Sequence, residues 1–156
     1  MNERFLSRGK RKDNGEWVTG HYVFQRKRSG VFGQKISELD FDRHLIIDLR
    51  GNSHEVIPET VGQYTGLKDK NGKLIFEGDV VKLTDTNNNI EWKAYVVFGN
   101  PYGEFNWGWN LMYIGEKTKV DTDILLWTEM EETGAYCEVI GNVYDNPELL
   151  QRSDEE

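Results

Sequence analysis

A chain of 156 residues with 37% hydrophobic content has room for one ordinary domain with a thin core, in which five Trp, seven Tyr and seven Phe supply the large side chains. Its single cysteine, Cys137, excludes an internal disulfide and a cysteine-based zinc cage, and reads as a small buried hydrophobe on a strand in a protein of a reducing cytoplasm. The net charge of -8 conceals an asymmetry: residues 1–35 hold nine Lys/Arg against three acids, +6, and the remainder 10 against 24, -14.

Taken in order, the chain starts extended and turns at Asp13-Asn14-Gly15. Glu16 to Phe24 then reads as a strand, with Trp17, Thr19, His21 and Val23 on one face and Val18, Tyr22 and Phe24 on the other. That face gives His21 a half-buried structural role. Arg26-Lys27-Arg28-Ser29-Gly30 is a basic loop, which pairing of the first strands sets beside Arg8 to Lys12. Arg8, Lys10, Arg11, Lys12, Arg26, Lys27 and Arg28, together with Arg4, are therefore candidate phosphate-binding residues, although a solvated hairpin tip accounts for the same charges. Asp40-Phe41-Asp42 reads as a loop, His44 to Leu49 as a short buried strand and Gly51-Asn52-Ser53 as a turn. Val56-Ile57-Pro58 is extended, because the residue before proline avoids helical conformation. His21, His44 and His54 lack metal-ligand spacing, so no metal or cofactor is expected.

The stretch Glu59 to Leu83 carries the strongest local signals. One helical turn is expected within Thr60 to Tyr64, which Gly62 and Gly66 keep short. Asn71-Gly72 suits a two-residue type I′ hairpin turn with positive φ at both positions, and Gly78 in Glu77-Gly78-Asp79 permits a sharp corner before Val80-Val81. Asn71, Gly72, Gly78 and Asp79 are thus structural turn residues. Asp69, Glu77 and Asp79 read as solvated turn carboxylates. Lys12-Asp13-Asn14-Gly15 faintly echoes Lys68 to Gly72, as reused hairpins do. Ile90 to Phe98 alternates as a strand after the turn Asn87-Asn88-Asn89, and is expected to pair with Val80 to Leu83. In Phe105 to Tyr113 the period of two in Phe105, Trp107, Trp109, Leu111 and Tyr113 points to core packing rather than an exposed stacking platform. Glu116 to Val120 is a loop, Thr122 to Thr128 a strand, Glu129 to Thr133 an acidic tip. Tyr136 to Tyr144 is a last strand broken at Gly141, followed by a short C-terminal helix with Asn146 as N-cap and Pro147 in its first turn. The expected fold is all-β: a single domain over 1–156, with residues 1–57 as β-hairpin extensions and 58–150 as a small SH3-like β-barrel.

Four motifs add a resemblance. Gly9-Lys10-Arg11, the run Gly62 to Gly72, Glu77-Gly78-Asp79 and Gly141 to Leu149 together resemble the YopX family of bacteriophage and prophage proteins. The resemblance implies an all-β fold and a phage origin, and it implies no established activity. Three functions follow for testing. The first is a non-enzymatic accessory protein of the host-cell cytoplasm that binds itself, as a homo-oligomer, or a phage or host protein. The second is a nucleic-acid-binding module using the basic N-terminal residues. The third is a hydrolase, for which the sequence offers no catalytic constellation and no catalytic residue. No apolar run has the length of a membrane span.

Overall fold

Two hairpin turns that close on a left-handed glycine, Gly15 at φ 71 and Gly72 at φ 80, mark the start of each half of the fold. The computed structural model describes residues 3–27, 41–103, 107–115, 122–128 and 134–151, and these divide into two compact units, residues 1–63 and 64–156. All strand pairings are antiparallel, as an all-β chain with short connections requires. Expectations placed on Arg28 to Asp40, Phe105, Glu116 to Val120, Glu129 to Thr133 and the tail from Arg152 lie outside the described residues.

The first unit is built from β1 (Ser7–Lys10), β2 (Trp17–Lys27), β3 (Phe41–Asp48) and β4 (Ser53–Glu55), with the start of β5 (Gly62–Lys68) pairing to β1. Strand order is β4-β3-β2-β1-β5. Leu6, Ile46 and Val56 are buried, and Gly9 leaves the space in which Val56 and Ile46 close over β1. The strand expected from Glu16 to Phe24 forms and runs three residues further, to Lys27. Its far half is solvent-facing, so His21 is exposed rather than half-buried. Phe41 and Asp42 belong to β3 and not to a loop, because they find partners in Lys27 and Arg26. Within the expected buried strand only Ile46 is fully enclosed. The helical turn sits earlier than expected, at Pro58–Thr60, with Gly62 onward in β5. The Thr60 hydroxyl holds it, accepting from the Lys10 amide at 2.8 Å and donating to the Ile57 carbonyl at 2.6 Å.

In the second unit the rest of β5 pairs with β6 (Leu74–Phe76), and a sheet of order β10-β7-β8-β9 forms from β7 (Asp79–Asp85), β8 (Ile90–Gly99), β9 (Gly108–Tyr113) and β10 (Ala135–Asn142). Its core is Ile75, Val81, Leu83, Ala94, Val96, Leu111, Ile124, Trp127 and Cys137. The expected pairing of β7 with β8 is present in register, and the expected break at Gly141 is a bulge between Val139 and Gly141.

Several expectations require correction. The four-stranded sheet, where the barrel is expected, does not close, because loops rather than strands occupy its two outer edges. The Lys70 amide donates to the Cys137 carbonyl of β10, and the Leu111 amide of β9 donates to the Thr122 carbonyl. Thr122 to Thr128 is not a strand. Asp123 caps a 3-10 turn over Ile124–Trp127 by accepting from the Leu125 amide at 3.0 Å. The C-terminal segment Pro147–Leu150 is likewise a single 3-10 turn, and the Asn146 side chain accepts from the Asn142 amide instead of capping it.

The turn at Asn71-Gly72 is not type I′. Only Gly72 has positive φ, so the loop spans three residues and ends on a left-handed glycine, with the Gly72 amide bonded to the Asp69 carbonyl at 3.0 Å and the Asp69 amide to Lys73 at 2.9 Å. The reason is Asp69, which is 7% exposed and not solvated. Its Oδ1 accepts from the Asn71 and Lys73 amides and its Oδ2 from the Val139 amide, each at 2.9 Å. Asp79, 1% exposed, is also buried, and accepts from the Phe76 amide at 2.8 Å to fix the corner at Gly78, where φ is 85.

Two glycines separate two physical costs. Gly72 faces open space, so Gly72→Ala should cost about 1–2 kcal/mol through left-handed strain alone. At Gly20 a Cβ would overlap the Ile47 carbonyl oxygen of the neighbouring strand, so Gly20→Ala should cost about 3 kcal/mol by overpacking. Chemical denaturation of both variants tests the order; a Gly72 variant as damaged as the Gly20 variant would contradict it. A second expectation concerns Asp48. Its carboxylate accepts from His54 Nε2 at 2.8 Å and from the Asn52 and Arg50 amides, each at 2.9 Å, which together hold it well below the usual carboxylate range. A lowered folded pKa contributes stability that is fully present above the ordinary value of 3.8 and lost as pH falls through the lower folded value. Asp48→Asn should therefore melt below the natural protein at pH 6, with the gap narrowing below pH 3.8; a gap constant with pH would exclude this linkage.

Candidate interaction surfaces

Among the described residues, the basic side chains of the first unit divide between separate partners. Arg8 and Lys10 alternate on β1 and so share a face, and the register sets Trp17 opposite Lys10. The Arg8 guanidinium carbon lies 4.7 Å and the Lys10 Nζ 5.7 Å from the centre of a Trp17 ring, which makes a cation-π cluster. Arg11 is bound to Asp13 at 2.6 Å, Lys12 to Glu55 at 3.1 Å, Arg43 to Glu55 at 3.6 Å and Arg26 to Asp42 at 3.2 Å. Lys12 first, and Arg43 after it, hold the Glu55 carboxyl below its ordinary range. The expected meeting of the two basic clusters fails because β1 covers β2 only from Trp17 to Gly20. Arg26 lies seven residues along β2 from Thr19, the partner of Arg8, and pairs with β3. Lys27 ends β2, and Arg28 lies outside the described residues. The acids Asp13, Asp42 and Glu55 were not foreseen as partners. Only Asp13, two residues from Arg11, was near enough in sequence to signal its role.

Past Gly20, β2 and β3 continue as a two-stranded ribbon. Pairing across it puts Tyr22, Phe24, His44 and Ile46 on one face. The Tyr22 hydroxyl meets His44 Nδ1 at 2.6 Å, and the His44 ring centre lies 6.0 Å from that of Tyr22 and 5.1 Å from that of Phe24. Arg26 adds its guanidinium 5.8 Å from the Phe24 ring. Tyr22, Val23 and Phe24 are consecutive and exposed, at 40%, 37% and 47%.

The second unit carries an aromatic group at the start of β9. Core packing holds at Leu111, which is fully buried, and in part at Trp109 and Tyr113, but Trp107 is 75% exposed because the strand begins only at Gly108. Phe98, 61% exposed, sits edge-on to Trp109 with ring centres 5.0 Å apart. Beside them Asn110 is buried, its Nδ2 donating to the Gly99 carbonyl at 2.7 Å and its Oδ1 accepting from the Thr122 hydroxyl at 3.0 Å. Nothing in the alternation of the sequence distinguishes Trp107 from Trp109.

Cys137, His44 and His54 are engaged in structure. Cys137 is fully buried, and burial first, with the Asp69 charge second, pushes its thiol up to about 12. His54 is held by Asp48 and His44 by Tyr22. Among the described residues no three His, Cys, Asp or Glu side chains gather as metal ligands, and no helix is long and apolar enough to cross a membrane.

Comparison with known proteins places these surfaces in a family. A solved structure similar to this chain, protein EF1440 from Enterococcus faecalis, is 19% identical, covers 93% of this chain and 96% of its own, and has a TM-score of 0.43. No curated protein matches. The family model described as YopX protein matches residues 8–151. That span takes in the basic start, the Asn71-Gly72 hairpin, the Gly78 corner and the bulged last strand, and the chain belongs to the YopX family.

Proposed function

We propose that this is a non-enzymatic accessory protein of a bacteriophage or prophage, acting in the host cytoplasm through macromolecular contact, and that its first partner is a copy of itself. The observation that carries the reading is the exposed apolar side chains: Tyr22 and Phe24, adjoining on one face of β2 with Val23 on the other, in the first unit, and Phe98 and Trp107 in the second. Scattered apolar residues are ordinary on a monomer, whereas adjoining ones mark protein contacts. Charge supports contact between copies. Residues 1–63 hold 11 Lys/Arg against nine acids, and residues 64–156 hold eight against 18, so the negative charge lies in the second unit and the first meets a second copy of itself with little net repulsion. Membership of the YopX family supports the phage setting, and a phage or host protein is the further partner class. The burial of Cys137 and the saturation of Asp69 by three backbone amides support a structural rather than catalytic use of these groups.

Light scattering in low and high salt should give a mass at least twice that of the chain. A single-chain mass in both conditions would refute self-assembly. The nucleic-acid reading keeps a specific observation in its favour, the Arg8, Lys10 and Trp17 cluster, which joins phosphate-binding cations to a ring able to stack. Against it weigh the acids that neutralise Arg11, Lys12 and Arg26. A labelled oligonucleotide should show no binding at about 50 mM salt, the condition most favourable to phosphate contacts. Binding that falls steeply with salt and weakens on Arg8→Glu or Lys10→Glu would transfer the function to nucleic acid.

A further inference from the structure

The ribbon of the first unit carries a more specific inference, which rests on the self-assembly reading above. Strand β1 pairs with β2 only as far as Gly20, so the outer edge of β2 from His21 to Lys27 has no strand partner among the described residues. An edge of that length, with aromatic side chains standing on it, presents a row of backbone donors and acceptors ready to pair with another strand. Natural edges are usually blunted by a bulge, a proline or charged side chains, and here charge is confined to Arg26 and Lys27 at the far end. Residues 21–27 are His-Tyr-Val-Phe-Gln-Arg-Lys, with no proline, and the register with β3 runs unbroken from Gly20 to Lys27.

We infer that this edge is the contact through which two copies of the chain pair, antiparallel, across a two-fold axis centred on Phe24. The register follows from where β1 stops. Gly20 is already taken by Ser7, so pairing of two identical edges has residues 21–27 to use, and their midpoint is Phe24. In that register Phe24 faces Phe24, Tyr22 faces Arg26 of the second copy, and Val23 faces Gln25. Tyr22, Phe24 and Arg26 share one face of β2, so the pairing sets two aromatic rings against each other at the centre and a cation against a ring on either side. The chain already makes this contact internally, with Arg26 against Phe24. Every other centre is worse. With Gly20 taken, moving it to Val23 or Tyr22 shortens the paired stretch to residues 21–25 or 21–23, and moving it towards Lys27 loses the match of Arg26 with Tyr22. The charge of Arg26, repeated in the second copy, is offset by Asp42 on each ribbon. The interface is isologous and closes at two copies.

Cysteine cross-linking of the full chain tests the register. In the paired state Phe24→Cys places two thiols directly opposite each other, and mild oxidation should convert most of the protein to a covalent dimer. Tyr22→Cys is the control, because its two copies are offset by four positions, roughly 13 Å, and should not cross-link. Cys137 gives no background, being fully buried with its thiol pushed up to about 12. Phe24→Lys, at a half-exposed position beside His44, should leave the chain folded by circular dichroism while abolishing the dimer in light scattering. A protein that stays assembled while Phe24→Cys fails to cross-link and Phe24→Lys fails to dissociate it overturns this interface and leaves self-assembly standing. A natural protein that is monomeric overturns both.

Discussion

The carboxylate of Asp69 is the interaction on which the second unit depends. A buried charge is costly unless its oxygens are satisfied, and here three backbone amides satisfy them, two from its own hairpin loop and one from Val139 on β10. Hydrogen bonds to a charged group contribute about 1.5–3 kcal/mol each. The same contact that shapes the loop therefore ties it to the edge of β10, where the Lys70 amide adds a bond to the Cys137 carbonyl. With β10 occupied in this way, and β9 occupied by Thr122 and the bridge from Asn110 to Asp123, the four-stranded sheet has no edge left with which to close. An open sheet with covered edges replaces the barrel.

The first unit solves the same problem incompletely. Its central strand is longer than its neighbour, since β2 has 11 residues and β1 four. The excess length leaves aromatic side chains exposed and an edge without a strand partner among the described residues. Four of the unit's described cations, Arg11, Lys12, Arg26 and Arg43, are by contrast spent on Asp13, Asp42 and Glu55. Exposed ion pairs of this kind contribute only about 0–1 kcal/mol each, so they do little for stability, but they remove charge from the surface that a polyanion would read. Among the described residues the exposed half of β2 is therefore marked by aromatic side chains more than by unpaired charge.

Local signals of the chain were legible where one residue type has one physical meaning. Glycine at a hairpin end, the bulge at Gly141, the alternation of Ile90 to Phe98 and its pairing with β7 all depend on neighbours in sequence, and all are present in the fold. Asn71-Gly72 shows the boundary. The dipeptide fixed the place of the turn, but its type was decided by Asp69, whose partner Val139 lies 70 residues away. Likewise the run Ile124 to Trp127 is apolar enough for strand or helix, and the Asp123 cap tipped it to a 3-10 turn.

The sequence by itself thus determined the all-β class, the family and the positions of most turns, because strand periodicity and left-handed glycines act over a few residues. Only the tertiary structure decided which carboxylates are buried, which cations are neutralised and which aromatics remain exposed. Asp69 and Asp13 look alike in sequence, each following a lysine in a glycine-closed turn, yet one is buried against β10 and the other solvated beside Arg11. Burial and charge pairing arise from residues brought together across strands, and no local pattern encodes how far β1 extends along β2.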